Sequence, residues 1–191
     1  MTLGRRKMIN VNRLVNGENN KSDLSIILIK TKSFANMVGY LTKSFGTPGL
    51  SMVYAMGKEN GQEEVNQLRL DLKKLETPLA KKELLDKVLQ RVSQMGWGKL
   101  SIGEFDAVGG KVRINVNHNP FSEDCGTKDA GGCFFLHGYM AGLVSEVMEE
   151  PMEFSSPRCL DVEDDQCILR LQRATTRILQ QNAETPKMAI A

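Results

Sequence analysis

The stretch KLSIGEFDAVGGKVRINVN, residues 99–117, decides the fold class. Two runs of strand-favouring residues, Lys99–Asp106 and Lys111–Asn117, stand on either side of Gly109-Gly110. A glycine pair accepts the positive φ of a tight hairpin turn, so the spacing predicts two antiparallel strands. Upstream the apolar period becomes helical. Thr77-Pro78 opens a helix with proline in its first turn, where the missing N–H costs nothing. Leu84, Leu85, Val88, Leu89 and Val92 form its buried stripe, and Gly96 ends it. Further back, Ser33 is placed to cap a helix with Phe34, Met37, Val38 and Leu41 on one face, and Gly46-Thr47-Pro48-Gly49 breaks that helix. A second helix is predicted from Leu50 to Leu75, with Met52, Val53, Met56, Val65, Leu68 and Leu72 as its stripe. Gly57 and Gly61 are expected to weaken its middle. Leu24–Ile29 reads as a strand.

Downstream, residues 119–132 read as loop, Cys133–Met148 as helix, and Met152–Cys159 with Cys167–Leu171 as a last pair of strands around an acidic turn. Adjacent hairpins favour antiparallel pairing. The expected class is α+β, an antiparallel sheet covered by helices with a C-terminal cysteine-bearing hairpin. Residues 1–22 are polar and aperiodic and read as a flexible arm, 23–172 as the domain, and 173–191 as a partly helical tail.

Lys and Arg number 25 against 23 Asp and Glu, a net charge of +2, so no dominant basic face marks a nucleic-acid binder. The run Arg5-Arg6-Lys7 reads as a solvated tail. No stretch approaches the ~18–20 apolar residues of a membrane span, and residues 1–22 carry no apolar signal region. A cytoplasmic, reducing setting is therefore expected, with no direct nucleic-acid or membrane partner. In that setting Cys125, Cys133, Cys159 and Cys167 read as metal ligands, redox thiols or buried packing residues before structural disulfides. Thiolates are soft donors, and a loop, a helix start and a hairpin can converge on one tetrahedral zinc ion. The C-terminal pair also suits a thiol–disulfide switch, and Cys133 and Cys167 also suit plain core positions.

Catalytic patterns are poor. There is no GxSxG turn, no GxGxxG after a strand and no Walker loop. His137 lies one helical turn after Cys133 and reads as a ligand, a cavity residue or a core residue; His118 reads as a loop residue. Glu146, Glu149 and Glu150 read as an exposed helix end. The chain is read as a binding module before an enzyme.

Three passages resemble the 4-vinyl reductase family, also called the hydrocarbon-binding domain. They are Gly96-Trp97-Gly98-Lys99-Leu100 with the hairpin running to Asn119-Pro120-Phe121, then residues 133–142, then the C-terminal cysteine pair with Asp164 in its turn. The resemblance covers roughly residues 24–172 and extends to sensor domains of aromatic-responsive bacterial activators and to vesicle-tethering subunits. It implies a helix-covered antiparallel sheet, a homodimer and an internal pocket for a small apolar ligand. It also implies zinc, held in phenol-sensing members by a cysteine at the helix start, a glutamate and two hairpin cysteines. Here those cysteines correspond to Cys133, Cys159 and Cys167. The glutamate position is Ser156, so Cys125 is the natural replacement and Glu153 the second candidate. The usual turn glycine is Glu163. The reductase activity in the family name has no nicotinamide or flavin motif behind it here.

The expected function is a zinc-binding sensing or carrier domain for a hydrocarbon, aromatic or tetrapyrrole-like molecule. Trp97, Phe134, His137 and Tyr139 are the candidate pocket residues; packing in the core or a dimer interface is the other reading for each. The competing functions are a cysteine-based redox sensor acting on a partner protein and an accessory subunit in tetrapyrrole metabolism.

Overall fold

The computed structural model describes residues 29–69, 77–121, 131–155, 162–163 and 166–175. In chain order come α1 (Thr31–Phe45), α2 (Thr47–Arg69), α3 (Pro78–Gln94), β1 (Lys99–Asp106), β2 (Lys111–Asn117), α4 (Gly131–Met148), β3 (Met152–Phe154), β4 (Val162–Glu163) and β5 (Gln166–Arg173). The class is α+β, as the sequence implies. The strands run in the order β1-β2-β5-β3, with β4 also on β5, and every pairing is antiparallel.

The hairpin forms over the predicted residues. Gly103 interrupts the register between Ile102 and Glu104, and the Arg113 guanidinium donates to the Gly103 carbonyl across that bulge at 3.2 Å. Alternation then aims one face inward. Val112, Ile114 and Val116 are buried and face Leu171, Leu169 and Cys167 of β5. Helix α3 lays Leu84, Leu85, Val88, Leu89 and Val92 into the same core, and α4 adds Leu136, Met140, Leu143, Val144 and Val147. The start of α3 follows the expectation: the Thr77 hydroxyl accepts from the Ala80 N–H at 3.1 Å, and Pro78 sits in the first turn.

Other boundaries differ. Helix α1 begins at Thr31, with Lys30 at the cap position and Ser33 already inside the first turn. Helix α2 begins at Thr47, directly after Gly46 takes a φ of 62°. Met37, Met52 and Met56, assigned to buried stripes, are 60%, 52% and 47% exposed. A stripe shows which side of a helix is apolar, and here part of that side has no neighbour within the chain. The final hairpin is split: β3 pairs with the end of β5 and β4 with its beginning, and β5 continues to Arg173. The strand expected at 24–29 lies outside the described residues apart from Ile29, which is in no strand; the arm at 1–22 and the helix expected near the C-terminus lie outside them too.

Helices α2 and α4 meet through glycines. A Cβ on Gly57 or Gly61 would land on the Phe135 or Tyr139 carbonyl oxygen. One on Gly138 or Gly142 would land on that of Tyr54 or Lys58. The glycines read as weak points of α2 are thus what allows its backbone to touch α4. That close approach fixes where the side chains of α4 are delivered.

Candidate functional site

Residues one turn apart share a helix face, so Gly138 and Gly142 define the side of α4 against α2, with Phe135 and Tyr139 on one flank and Phe134 and His137 on the other. The four pocket candidates therefore separate into two pairs.

On the first flank, Trp97 stacks on Tyr139 at 5.0 Å between ring centroids with 9° between planes, and on Phe135 at 5.7 Å. Phe121 meets the indole edge-on at 6.0 Å, and Phe34 of α1 closes the group against Phe121 and Phe135. Trp97 is held in a turn whose flanking residues, Gly96 and Gly98, have φ of 96° and 98°, angles that side-chain-bearing residues avoid. Phe121, Phe135 and Tyr139 are buried; Trp97 and Phe34 are half-buried. Each aromatic pair is worth roughly 0.5–1.5 kcal/mol beyond its buried area. The sequence named Trp97 and Tyr139 but not their partners, which come from distant segments.

The tyrosine end of the stack is polar. Burial and the Glu64 carboxylate both raise the Tyr139 hydroxyl, while Arg91 opposes them, so the hydroxyl stays a protonated donor. Burial also raises Glu64, countered by Arg91, whose Nε lies 2.8 Å from Glu64 Oε1 as a close ion pair not aligned as a hydrogen bond.

On the second flank, His137 lies 4.7 Å from the Phe154 ring of β3 and 6.3 Å from Phe134. It is 4% exposed, and burial lowers its pKa to about 4, so the imidazole is neutral at physiological pH.

Two of the four cysteines are described, and both reach residues 119–121. The buried Asn119 amide donates to Cys167 Sγ at 3.3 Å, and Cys133 Sγ lies 3.4 Å from the Phe121 carbonyl oxygen. Cys133 is disulfide-bonded, and Cys167 is a buried thiol outside any disulfide. Cys125 and Cys159 lie outside the described residues, and among the described residues no three His, Cys, Asp or Glu side chains group as a metal site. Glu153, the second candidate for the fourth ligand, is engaged elsewhere. The Tyr54 hydroxyl donates to one of its oxygens and the Lys58 ammonium to the other, from consecutive turns of α2. Burial first, and then that carboxylate, keep the Tyr54 hydroxyl protonated. An aromatic residue followed four positions later by a basic one was the signal for that pair, and Glu153 gave no sign of it.

No protein-family model matches the chain, and no curated protein does. Among solved structures it is similar to the phenol-responsive sensory domain of the transcription activator PoxR with phenol. That match has TM-score 0.61 and 15% identity, covering 87% of this chain and 84% of that one. It is also similar to a trafficking protein particle complex subunit 3 from Naegleria fowleri covalently bound to palmitic acid, with TM-score 0.50, 15% identity and coverage of 76% and 95%. A vinyl-4-reductase family protein from Methanocaldococcus jannaschii aligns with TM-score 0.44, 18% identity and coverage of 81% and 86%. The fold is the one the sequence resemblance implied, shared with the sensory domain and the trafficking subunit. No described helix is long and apolar enough to cross a membrane.

Proposed function

We propose that the chain is a sensing or carrier domain for a small apolar molecule, received on the flank of α4 that holds Trp97 and Tyr139. The single observation that carries this reading is the aromatic cluster. It is stacked, reached from solvent through a half-buried indole, and ends in a protonated hydroxyl beside Glu64. Such a surface suits an aromatic or hydrocarbon body with one polar point. The two structures with this fold and the higher TM-scores are described with phenol and with palmitic acid, which supports the same ligand class. The readout passes to a separate regulatory protein. The test is calorimetric titration with phenol and with palmitate. One of them binds saturably, and Trp97→Ala weakens binding about tenfold, which is ~1.4 kcal/mol, while His137→Leu leaves affinity unchanged. Loss in His137→Leu with none in Trp97→Ala moves the site to the Phe134 flank; no binding by either probe removes the reading.

Zinc is part of the proposal, held in the reduced chain by Cys133 and Cys167 with Cys125 and Cys159. Its support is the convergence of Cys133 and Cys167 on residues 119–121. A sulfur in a disulfide is no thiolate donor, so the metal requires prior reduction. Protein purified under reducing conditions is expected to carry about one zinc per chain, lost in Cys133→Ser and in Cys167→Ser. Equal metal content in all three would refute the site. The disulfide at Cys133 favours a second reading, a redox sensor, which reversible oxidation of thiols with loss of metal would support over a permanently closed zinc site.

A homodimer completes the proposal. Met37, Tyr40, Met52 and Met56 leave apolar surface on α1 and α2 suited to a second copy of the chain. Sedimentation equilibrium is expected to give twice the chain mass, and Tyr40→Glu to return the monomer; a wild-type monomer disproves this element.

A further inference from the structure

Residues 119–121 touch Cys133, Cys167 and the aromatic cluster, and each contact is specific. Asn119 is only 4% exposed and uses both ends of its amide. Its nitrogen donates to Cys167 Sγ, and its Oδ1 accepts from the Phe121 N–H at 2.9 Å. Phe121 faces two ways as well. Its carbonyl oxygen lies 3.4 Å from Cys133 Sγ, while its ring packs on Trp97 and Phe34. The segment has little freedom to absorb a change. A Cβ on Gly98 would meet the Asn117 and His118 carbonyls at 2.9 and 3.0 Å, and one on Gly132 would meet the Phe121 ring. His118 turns the chain with a φ of 55°, in the left-handed region that residues other than glycine rarely adopt. Pro120 further restricts Asn119 before it.

We propose that residues 119–121 transmit the oxidation state of Cys133 to the Trp97 cluster, with Asn119 as the positioning residue that makes the transmission work. The inference rests on the ligand-site reading above and adds its regulation. When a dithiol reduces the Cys133 disulfide, the S–S bond takes up two electrons, each sulfur gains a proton, and the dithiol closes to a cyclic disulfide. In the metal-free reduced chain the Cys133 thiol then has a proton to donate to the Phe121 carbonyl, which the disulfide sulfur lacks. It is also released from its covalent tie at the first turn of α4, two residues before Phe135. Asn119 converts that local change into a movement of Phe121, because it anchors the Phe121 N–H to the Cys167 strand. Without that anchor, residues 119–121 can shift without dragging the ring against the indole.

Trp97 is the single tryptophan, so its emission reports on the cluster alone. The experiment compares the full chain, without any ligand and kept metal-free by a chelator, oxidised and after excess dithiothreitol, with free thiols counted in parallel. The emission of Trp97 is expected to shift in position or intensity on reduction and to return when a small-molecule disulfide, oxidised glutathione, takes the two electrons back and leaves as two thiols. In Asn119→Ala the thiol count still changes but the emission response is lost, while thermal unfolding by circular dichroism shows a folded chain. Should Asn119→Ala not fold, Asn119→Asp tests the same point. It keeps the acceptor for Phe121, loses the donor to Cys167, and is expected to show a reduced response. Identical wild-type emission in both states, a thiol count that never changes, or full responses in both Asn119 variants overturns the proposal. Because no ligand is present, a failure here leaves the binding titration standing, and a failed titration leaves this test standing.

Discussion

Gly142→Ala is expected to cost the protein about 3 kcal/mol or more, at the upper end of what overpacking a core does. The added methyl lands on the Lys58 carbonyl of α2, with the Lys58 carbonyl carbon 2.8 Å and its Cα 3.0 Å away. Those atoms belong to a helix backbone, so no side chain can rotate aside. Relief requires α2 and α4 to move apart. That separation opens the packing around Val53, Val65, Met140 and Leu143, all fully buried, and loosens the Tyr54–Glu153–Lys58 contact. Gly61→Ala meets the same obstacle at Tyr139 and is expected to cost a similar amount. Gly39 is the control. It also sits inside a helix, but a Cβ there has nothing within 4 Å. Gly39→Ala is therefore expected to stabilise by about 0.5–1 kcal/mol, the difference in helix preference alone. Urea unfolding of the three variants checks this. A Gly142→Ala protein within about 1 kcal/mol of the parent, no more than the lower end of the usual overpacking cost, would show that the helices are not in backbone contact.

The same glycines show where sequence reading stops. In the hairpin at 99–117, alternation and turn residues lie next to each other, and the strands form over the residues expected. Helix α3 is equally local: Thr77, Pro78 and Gly96 mark its ends, and five apolar residues mark its face. Gly57 and Gly61 differ because their reason lies on α4, far along the chain. A local rule sees only their low helix preference. The aromatic cluster behaves likewise. Trp97 and Tyr139 were legible as large groups near the helix, whereas Phe34 and Phe121 join them only through tertiary contact. Glu153 reads as a spare ligand in the sequence because its partners, Tyr54 and Lys58, lie on another element. Cys133 and Cys167 do reach one segment, but Asn119, whose side chain ties that segment to Cys167, carries no sequence signal beyond preceding a proline.

His137→Leu is expected to change the acid limb of the stability profile. In the folded chain burial holds His137 near pKa 4, and in the unfolded chain it titrates near the ordinary histidine value of ~6.5. Above pH 6.5 both states are neutral at this position, and the native state has its full stability. As pH falls below about 6.5 the unfolded chain takes up a proton that the folded chain refuses until about pH 4. Unfolding is favoured across that window. The loss grows to about 3 kcal/mol at its acid end, because each pH unit between the two titrations is worth ~1.4 kcal/mol. Carboxylates titrate in the same range, so the wild-type curve alone does not isolate the histidine. The difference between wild type and His137→Leu does, because the carboxylates are common to both. Leucine suits the apolar surroundings that Phe134 and Phe154 provide. Relative to wild type, the variant should gain stability steadily between pH 6.5 and 4 and stay parallel to it above. Denaturant unfolding at a series of pH values measures the difference, and a flat one would mean that His137 ionises freely in the fold. The neutral imidazole also bears on function. It adds no charge to the Phe134 flank, so a charged group gains nothing there.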